Sequence, residues 1–518
     1  MHKKLIIGSR GSDLALWQAK FLQNELMQIG FTSEIQIIKT QGDQIQHISL
    51  EKLEGKGFFT KEIEDALLGN KIDIAVHSHK DLPTEITQGL IIAGVSYRES
   101  PAELLLIRKE AVDSTKEFQL KENAIIGTSS SRRMVQLNFF RPDLVMKDIR
   151  GNVPTRIDKL RKGDYDAILL ASAGVNRLQL NCSDLMQIIL PENVFVPAPA
   201  QGVLAYQCRN NDPEIISILK QINHADVAET ISVEREVMRL FQGGCHMPLG
   251  VFCKKENDLF HIWAAQASDK STELKRLYIN AAGLSNAAGK IFNSLSKKIN
   301  KSVFITTTAD EDALFVKLLK AKGCRVQTQS LIKIERVVIE DIPVKDWLFF
   351  TSKNGVNYFF DQVTDIRPSK LAAVGEETAS ELRKRGHYVD FIGEGDYELI
   401  ATEFLKMAGQ ETVLFPQAQT SADKLFNLIG NKTSVAKLIV YKNEKSDEFE
   451  IDDPDIIVFT SSMNADAYLH KKQILPHQQI IAIGNSTKEH LELKGIKNVL
   501  TPPFKNLLSV ADLICGLY

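Results

Sequence analysis

The stretch IDIAVHSHKDLP (72–83) sets the reading of the first part of the chain. An apolar run, IDIAV, gives way to polar residues that a strand would carry to the edge of a sheet. The same form recurs in LIIG (5–8), in AIIGTSS (124–130) and in DAILLASAG (166–174). After LIIG, Leu14, Trp17, Phe21 and Leu22 follow at helical spacing. Apolar runs alternating with amphipathic stretches predict βα units and parallel sheets. Ligands of such sheets gather beyond the carboxyl ends of the strands, so the residues just after each run are the candidates for function.

Around these units, composition narrows the class. The 518 residues predict several domains, with 44% hydrophobic and 25% charged residues, as in globular α/β proteins. Lys plus Arg (63) nearly balances Asp plus Glu (65), so a global basic field for nucleic acid is absent. No run approaches the ~20 apolar residues of a membrane span. The opening MHKKLIIGSRG lacks the apolar core of a secretory signal, and six cysteines in so long a chain fit reduced thiols. The expectation is a cytoplasmic monomer with neither nucleic-acid nor membrane partners. Around 295–302 the chain turns polar and basic (SKKINKS at its end), which predicts a linker.

Six segments of the first part carry candidate chemistry. SRGSDLALWQA (9–19) places Arg10 and Ser12 at a helix start, where amides and a guanidinium make an anion site, although a plain capped helix also suits. HSHKDLP (77–83) delivers Lys80 and Asp81; a carboxylate there can stabilise a developing cation. Its histidines, His77 and His79, are read as structural and no metal is expected. GTSSSRRMVQL (127–137) supplies Thr128, Ser129, Ser130, Arg132 and Arg133, and DIRGNVPTRIDKL (148–160) adds Arg150, Gly151, Asn152 and Arg156. With Arg177 of AGVNRL (173–178), these strand-end arginines predict a cleft for a ligand bearing several carboxylates. FQGGCHMPLG (241–250) holds Cys245 in a glycine-rich loop. Zinc and a redox dithiol both lack a second cysteine nearby, which leaves a single covalent attachment point.

These segments, with GKGFFTKEIEDAL (55–67), RGNVPTRIDKLRKG (150–163) and PAQG (199–202), resemble hydroxymethylbilane synthase, also called porphobilinogen deaminase, in order and over about the first 300 residues. The resemblance implies two periplasmic-binding-protein-like lobes (about 1–99 with 200–219, and 100–199) and a small α+β domain (about 220–295). It implies a dipyrromethane cofactor bound as a thioether at Cys245. On this cofactor the family deaminates porphobilinogen, adds four units through a cationic azafulvene, and releases hydroxymethylbilane. Asp81 matches the family's catalytic aspartate. Arg10, Arg132, Arg133, Arg150, Arg156 and Arg177 would meet acetates and propionates, with Ser12, Lys80, Thr128, Ser129, Ser130, Gly151 and Asn152 also around the cofactor. Lys56, in the stretch 43–57 that reads either as a lid or as a plain loop, and Gln201 would face substrate. Ala200, Gln207 and His246 depart from the family's usual glycine, acid and glutamine.

The last two hundred residues repeat themselves. LFFTS (348–352) returns as IVFTS (457–461), and AAVGEETASELRKRG (372–386) as IAIGNSTKEHLELKG (481–495), at one ungapped offset of 109. Two similar α/β domains follow. With LIVYKN (438–443), these segments are similar to uroporphyrinogen-III synthase over 301–518. That similarity implies two flavodoxin-like domains joined by two strands, the first strand and helix of the region joining the C-terminal one. It also implies cyclisation of hydroxymethylbilane with inversion of its last ring. Tyr441 is the candidate proton donor or else a buried structural tyrosine. Thr351, Ser352, Thr378, Ser461, Ser462 and Thr487 would hold carboxylates, besides the helix capping that many of them perform. Fusion would raise the concentration of the second enzyme where the first releases its product. The competing readings are a solute-binding module for the first part and a non-catalytic interaction domain for the second.

Overall fold

The computed structural model describes residues 4–40, 60–242, 247–269, 273–364, 366, 369–421, 423–446 and 449–518. Among the described residues the strands form five sheets. The chain begins with β1 (Leu5–Ser9), α1 (Asp13–Gln28), β2 (Ser33–Ile37), α2 (Lys61–Leu68), β3 (Ile74–Ser78) and β4 (Leu90–Val95). A second group follows: β5 (Glu103–Ile107), β6 (Ile125–Gly127), α3 (Ser131–Phe140), β7 (Val145–Lys147), α4 (Val153–Arg161), β8 (Ala167–Ala171), α5 (Ser172–Arg177) and β9 (Met186–Leu190). The chain then returns through β10 (Leu204–Arg209) and α6 (Pro213–Gln221).

The two sheets have matching orders, β2-β1-β3-β10-β4 and β7-β6-β8-β5-β9. Their βα units are parallel as the alternation predicts, but both sheets are mixed. β10 runs antiparallel to β3 and β4, and β5 antiparallel to β8 and β9. The reason is the route of the chain: β5 and β10 each enter one sheet directly from the other, against the direction of its βα units. Two segments, 96–102 and 191–203, make these crossings. In the second, Ala200 has φ +59, the left-handed region that glycine adopts without strain, and it is fully buried.

A third sheet is the antiparallel meander β11 (Leu249–Glu256), β12 (Leu259–Gln266) and β13 (Lys275–Ala281). It packs against α7 (Ala225–Leu240), α8 (Ala287–Ser296) and the C-terminal helix.

The second region contains β14 (Ser302–Ile305), α9 (Leu314–Ala321), β15 (Arg325–Thr328), β16 (Ile332–Arg336), β17 (Trp347–Phe350), α10 (Lys353–Phe360), β18 (Lys370–Val374) and α11 (Gly375–Lys384). It continues with β19 (Phe391–Gly393), α12 (Tyr397–Ala408), β20 (Val413–Ala418), α13 (Lys424–Gly430) and β21 (Val435–Lys445). It closes with β22 (Ile456–Phe459), α14 (Ser462–Lys471), β23 (Gln479–Ala482), α15 (Asn485–Leu493) and α16 (Leu507–Leu517). β15-β14-β22-β23 form one sheet and β16-β21-β20-β17-β18-β19 the other. The internal repeat is therefore structural: β17-α10-β18-α11 corresponds to β22-α14-β23-α15. The antiparallel pair β16–β21 runs between the halves.

The segment 295–302 is not a free linker. Lys322, 1% exposed, donates to the carbonyls of Ser294 and Lys297, and Lys301 pairs with Asp455 at 2.9 Å. One hydrophobic core runs through the junction, joining Val237, Ile262, Leu277 and Ile291 to Val303, Leu318, Val458 and Ile514. Burial of α16 residues Val510, Leu513 and Ile514 contributes about 1.5–3 kcal/mol for each side chain.

Candidate functional site

The candidate cleft lies where strand ends of the first two sheets face each other. β3 is buried along its length until Ser78, where a single 3-10 turn, His79–Asp81, begins. The turn hangs on the second crossing, since His79 N–H donates to Val203 C=O at 2.9 Å. It leaves Asp81 exposed and Lys80 half-buried. Lys80 Nζ donates to Gln201 Oε1 at 3.2 Å. Burial lowers the Lys80 pKa, an effect opposed by the charges of Asp81 and Glu103 and aided by Arg133 and Arg132. His77 and His79 are buried and held neutral. Burial takes His77 down to about 4 and His79 to about 3. His77 Nε2 bonds Gln207 Oε1 at 3.0 Å, and Gln207 donates on to Glu64, so a neutral amide links the two. Ser12 caps α1 by accepting from Ala15 N–H at 3.4 Å, beside half-buried Arg10.

On the facing sheet, β6 ends in Thr128-Ser129-Ser130. Thr128 Oγ1 accepts from Ser130 N–H, and Ser129 Oγ both donates to Ile149 C=O (2.9 Å) and accepts from Ile149 N–H (3.1 Å). Ser130 precedes α3 without a capping bond. Gly151 has φ +116, and a Cβ there would stand 2.7 Å from Thr155 Cγ2. Asn152 caps α4 by accepting from Thr155 N–H at 3.0 Å. Arg156 Nε donates to Gly151 C=O at 2.8 Å. Burial, with the like charges of Arg133 and Arg150, lowers its pKa to about 10, and Asp81 is the acid that opposes this. Asp81 on the first sheet and Arg156 on the second are thus electrostatic neighbours across the cleft.

Three of the predicted cleft arginines reach protein groups instead of an open surface. Arg132 donates to Glu103 Oε1 and Val196 C=O, and Arg133 pairs with Glu103 Oε2 at 2.7 Å and donates to Leu169 C=O. Arg177 donates to Gly202 C=O at 2.7 Å and covers the Trp17 ring. Gln201, fully buried, donates to Pro101 C=O and Glu103. Sequence reasoning missed Glu103. Its signal is an acid opening the apolar run in PAELLL (101–106), a place that a charge occupies only with partners.

The described residues fit a ligand with several carboxylates. Arg133 Nε, Arg177 Nε and Ser172 Oγ are buried without a hydrogen-bond partner. Arg150 and Arg156 add positive charge beside Asp81. Cys245 and Lys56 lie outside the described residues, as does the whole stretch 43–57. Cys245 falls between the end of α7 and the start of β11.

In the second region, Ser352 and Ser461 hold equivalent places. Both are extended N-cap residues, of α10 and α14, and each accepts from an amide three residues on at 3.1 Å. Tyr441 on β21 brings its Oη to 3.3 Å from Ser352 Oγ and stacks on Tyr358. Burial raises its pKa, with Ser352 acting against the rise. Thr351 and Ser462 are half-buried beside these caps, whereas Thr378 and Thr487 are buried on the inner faces of α11 and α15. Asn443, two residues from Tyr441, reaches Met463 Sδ on α14 at 3.9 Å and keeps a buried Oδ1 without a partner. The two halves meet at this ribbon.

A two-lobed α/β enzyme region fused to a doubled α/β region is the class these features define. Residues 5–217 match the family model "Porphobilinogen deaminase, dipyromethane cofactor binding domain", and residues 313–508 match "Uroporphyrinogen-III synthase HemD". Porphobilinogen deaminase of Desulforamulus reducens is 40% identical over 278 residues, 53% of this chain and 88% of that protein. That of Chlorobium phaeovibrioides is 40% identical over 290 residues, 56% of this chain and 91% of that one. Among solved structures, uroporphyrinogen-III synthetase from Helicobacter pylori aligns over 42% of this chain and 100% of its own, at 20% identity and a TM-score of 0.34. The chain belongs to the porphobilinogen deaminase family and carries a uroporphyrinogen-III synthase region in the same polypeptide. It is an enzyme of tetrapyrrole biosynthesis with a dipyrromethane-binding domain, and these matches support that reading over a solute-binding module or a non-catalytic interaction domain. No described helix is long and apolar enough to cross a membrane.

Proposed function

We propose that residues 1–300 act as two periplasmic-binding-protein-like lobes and a small cofactor-bearing domain, and residues 301–518 as two interleaved flavodoxin-like domains. The first region condenses porphobilinogen into hydroxymethylbilane, and the second closes it to uroporphyrinogen III. The dipyrromethane, joined to Cys245, supplies the free pyrrole position on which the chain grows. The observation that carries the reading is Asp81, exposed between Lys80 and the Arg150–Arg156 cluster where the two sheets face.

Asp81 presents a carboxylate to the positive charge that develops on a pyrrole as ammonia leaves, in a site where Lys80 and Arg156 are its charged neighbours. Arg150, Arg156 and Arg10 take acetate and propionate groups by paired N–H donors. Thr128, Ser130 and Ser12 add hydroxyls, and the turn at Gly151-Asn152 adds backbone donors. Arg132, Arg133, Arg177 and Gln201 act mainly by holding strand ends and crossings in place. Lys56 reaches substrate from the stretch before α2.

In the second region, binding and orientation do most of the work, since the bilane carries its own leaving hydroxyl. Tyr441 offers its proton to that hydroxyl, held by Ser352 and Tyr358. The helix starts at Thr351-Ser352 and Ser461-Ser462 hold carboxylates through amides and hydroxyls. Thr378 and Thr487, buried on the inner faces of α11 and α15, stand apart from these contacts. The protein works as a cytoplasmic monomer.

Intact-mass measurement of Cys245→Ser tests the attachment. The wild-type chain carries a dipyrromethane increment and the variant carries none. A variant that keeps the increment places the attachment elsewhere.

A further inference from the structure

The cofactor-bearing domain grips both crossings between the lobes. Glu234 of α7, fully buried, pairs with Arg98 of the first crossing at 2.7 Å and accepts from Ala200 N–H of the second at 2.6 Å. Its third contact, Cys253 N–H, belongs to the domain itself. Arg276 of β13 makes a further grip from the same domain. Its guanidinium donates to the carbonyls of Asn193 and Val194 on the second crossing, and it faces the Phe140 ring of α3.

The remaining donors of Arg276 leave the deaminase region altogether. Nε and one terminal nitrogen bond the two oxygens of Asp512 on α16, at 3.2 and 2.9 Å, with both side chains buried. Gly516 lies so close below that a Cβ there would come 2.0 Å from Tyr278 C=O. Such a buried pair is poor evidence of stabilisation, because apolar residues of similar volume serve as well. The apolar face of α16 already docks the helix. What the pair adds is a fixed direction: a rigid fork spanning Asp512 and two crossing carbonyls.

From that crossing a continuous polar chain leads to the cleft. Val196, two residues beyond Val194, is bonded by Arg132 at its carbonyl and by Gln136 at both its carbonyl and amide. Arg132 pairs with Glu103, Glu103 accepts from Gln201, and Gln201 accepts from Lys80, the neighbour of Asp81.

We propose that Arg276 and Asp512 are positioning residues of the deaminase reaction. Through them the last helix of the synthase region fixes the 191–203 crossing, and with it the Glu103–Gln201–Lys80 chain beneath the cleft. The proposal rests on the reading of residues 1–300 as the condensing enzyme.

Full-length Asp512→Asn keeps the shape of the side chain and removes its charge. The expected result is full cofactor occupancy by intact mass and faster amide exchange confined to 96–102, 191–203 and the 79–81 turn. For porphobilinogen consumption, kcat falls about tenfold while KM stays within about twofold. Asp512→Glu, which keeps the charge, recovers part of kcat. If Asp512→Asn does not fold, Arg276→Lys, which keeps a cation but loses the fork, is expected to give the same exchange and kcat pattern. A folded variant with wild-type kcat and wild-type exchange at 191–203 overturns the proposal. So does a kcat loss that Asp512→Glu leaves unrelieved. A wild-type chain without the cofactor increment would instead overturn the condensing-enzyme reading itself.

Discussion

Glu103 and Arg133 form an ion pair of 2.7 Å in which the carboxylate is fully buried and the guanidinium nearly so. Arg132 takes the other carboxylate oxygen, so one acid neutralises two cations at the base of the cleft. In the proposed function, ligand carboxylates meet arginines other than these two, Arg150 and Arg156 among them.

The pair makes the protein acid-labile in a defined window. Burial alone would raise the Glu103 pKa, but the two arginines outweigh it and hold the group at about 2, below its ordinary 4.5. A depressed folded pKa gives stability that is complete above the unfolded value and lost as pH falls toward the folded one. Glu103 therefore contributes about 3 kcal/mol above pH ~4.5, lost progressively toward pH ~2. Glu103→Gln leaves two buried cations and is expected to destabilise by about 3–5 kcal/mol. Urea unfolding at neutral pH measures this, and an unchanged midpoint would refute it.

His77 and His79 act earlier in an acid titration. Their folded pKa values, about 4 and about 3, lie below the ordinary 6.5, so the unfolded state takes up protons that the folded state refuses. Stability falls as pH drops below about 6.5 and goes on falling to about 4 for His77 and about 3 for His79. His77→Gln keeps a donor for Gln207 and is expected to flatten the upper part of this slope, read as the melting temperature between pH 7 and pH 4. A slope identical to the wild type would exclude His77 as its source.

The βα units, the repeat and the chemistry-bearing turns were legible in the sequence because each rests on local periodicity or on identity at one offset. Asp81 could be placed at a strand end on that basis, and Ser352 and Ser461 as equivalent helix starts. Three features were not legible. The reversed strands β5 and β10 depend on the route of the chain between lobes, which no local pattern encodes. The burial of Arg132, Arg133 and Arg177 depends on Glu103 and on the carbonyls of Val196, Leu169 and Gly202, distant in sequence from the arginines they receive. The run 295–302 reads as a linker because its own residues are polar, and its clasp by Lys322 and Asp455 is supplied from elsewhere in the chain.

Asp81→Asn preserves size and hydrogen bonding but removes the negative charge beside Lys80 and Arg156. Turnover of porphobilinogen is expected to fall about a thousandfold, with the melting temperature within a few degrees of wild type. A near-normal rate in a folded variant removes Asp81 from the chemistry.

Tyr441→Phe deletes the hydroxyl that meets Ser352 and leaves the ring stacked on Tyr358. Bilane synthesis is expected to stay normal. Closure to uroporphyrinogen III slows about tenfold or more, so that isomer I, formed without the enzyme, rises among the products. An unchanged isomer ratio would leave Tyr441 a packing residue.

In the proposed function one polypeptide performs both steps. The measurement is direct: the purified full-length chain is incubated with porphobilinogen, the products are oxidised, and uroporphyrins I and III are separated. Predominantly isomer III from this single protein is the expected result. Isomer I alone would contradict it, showing a working first region whose partner does not close the ring.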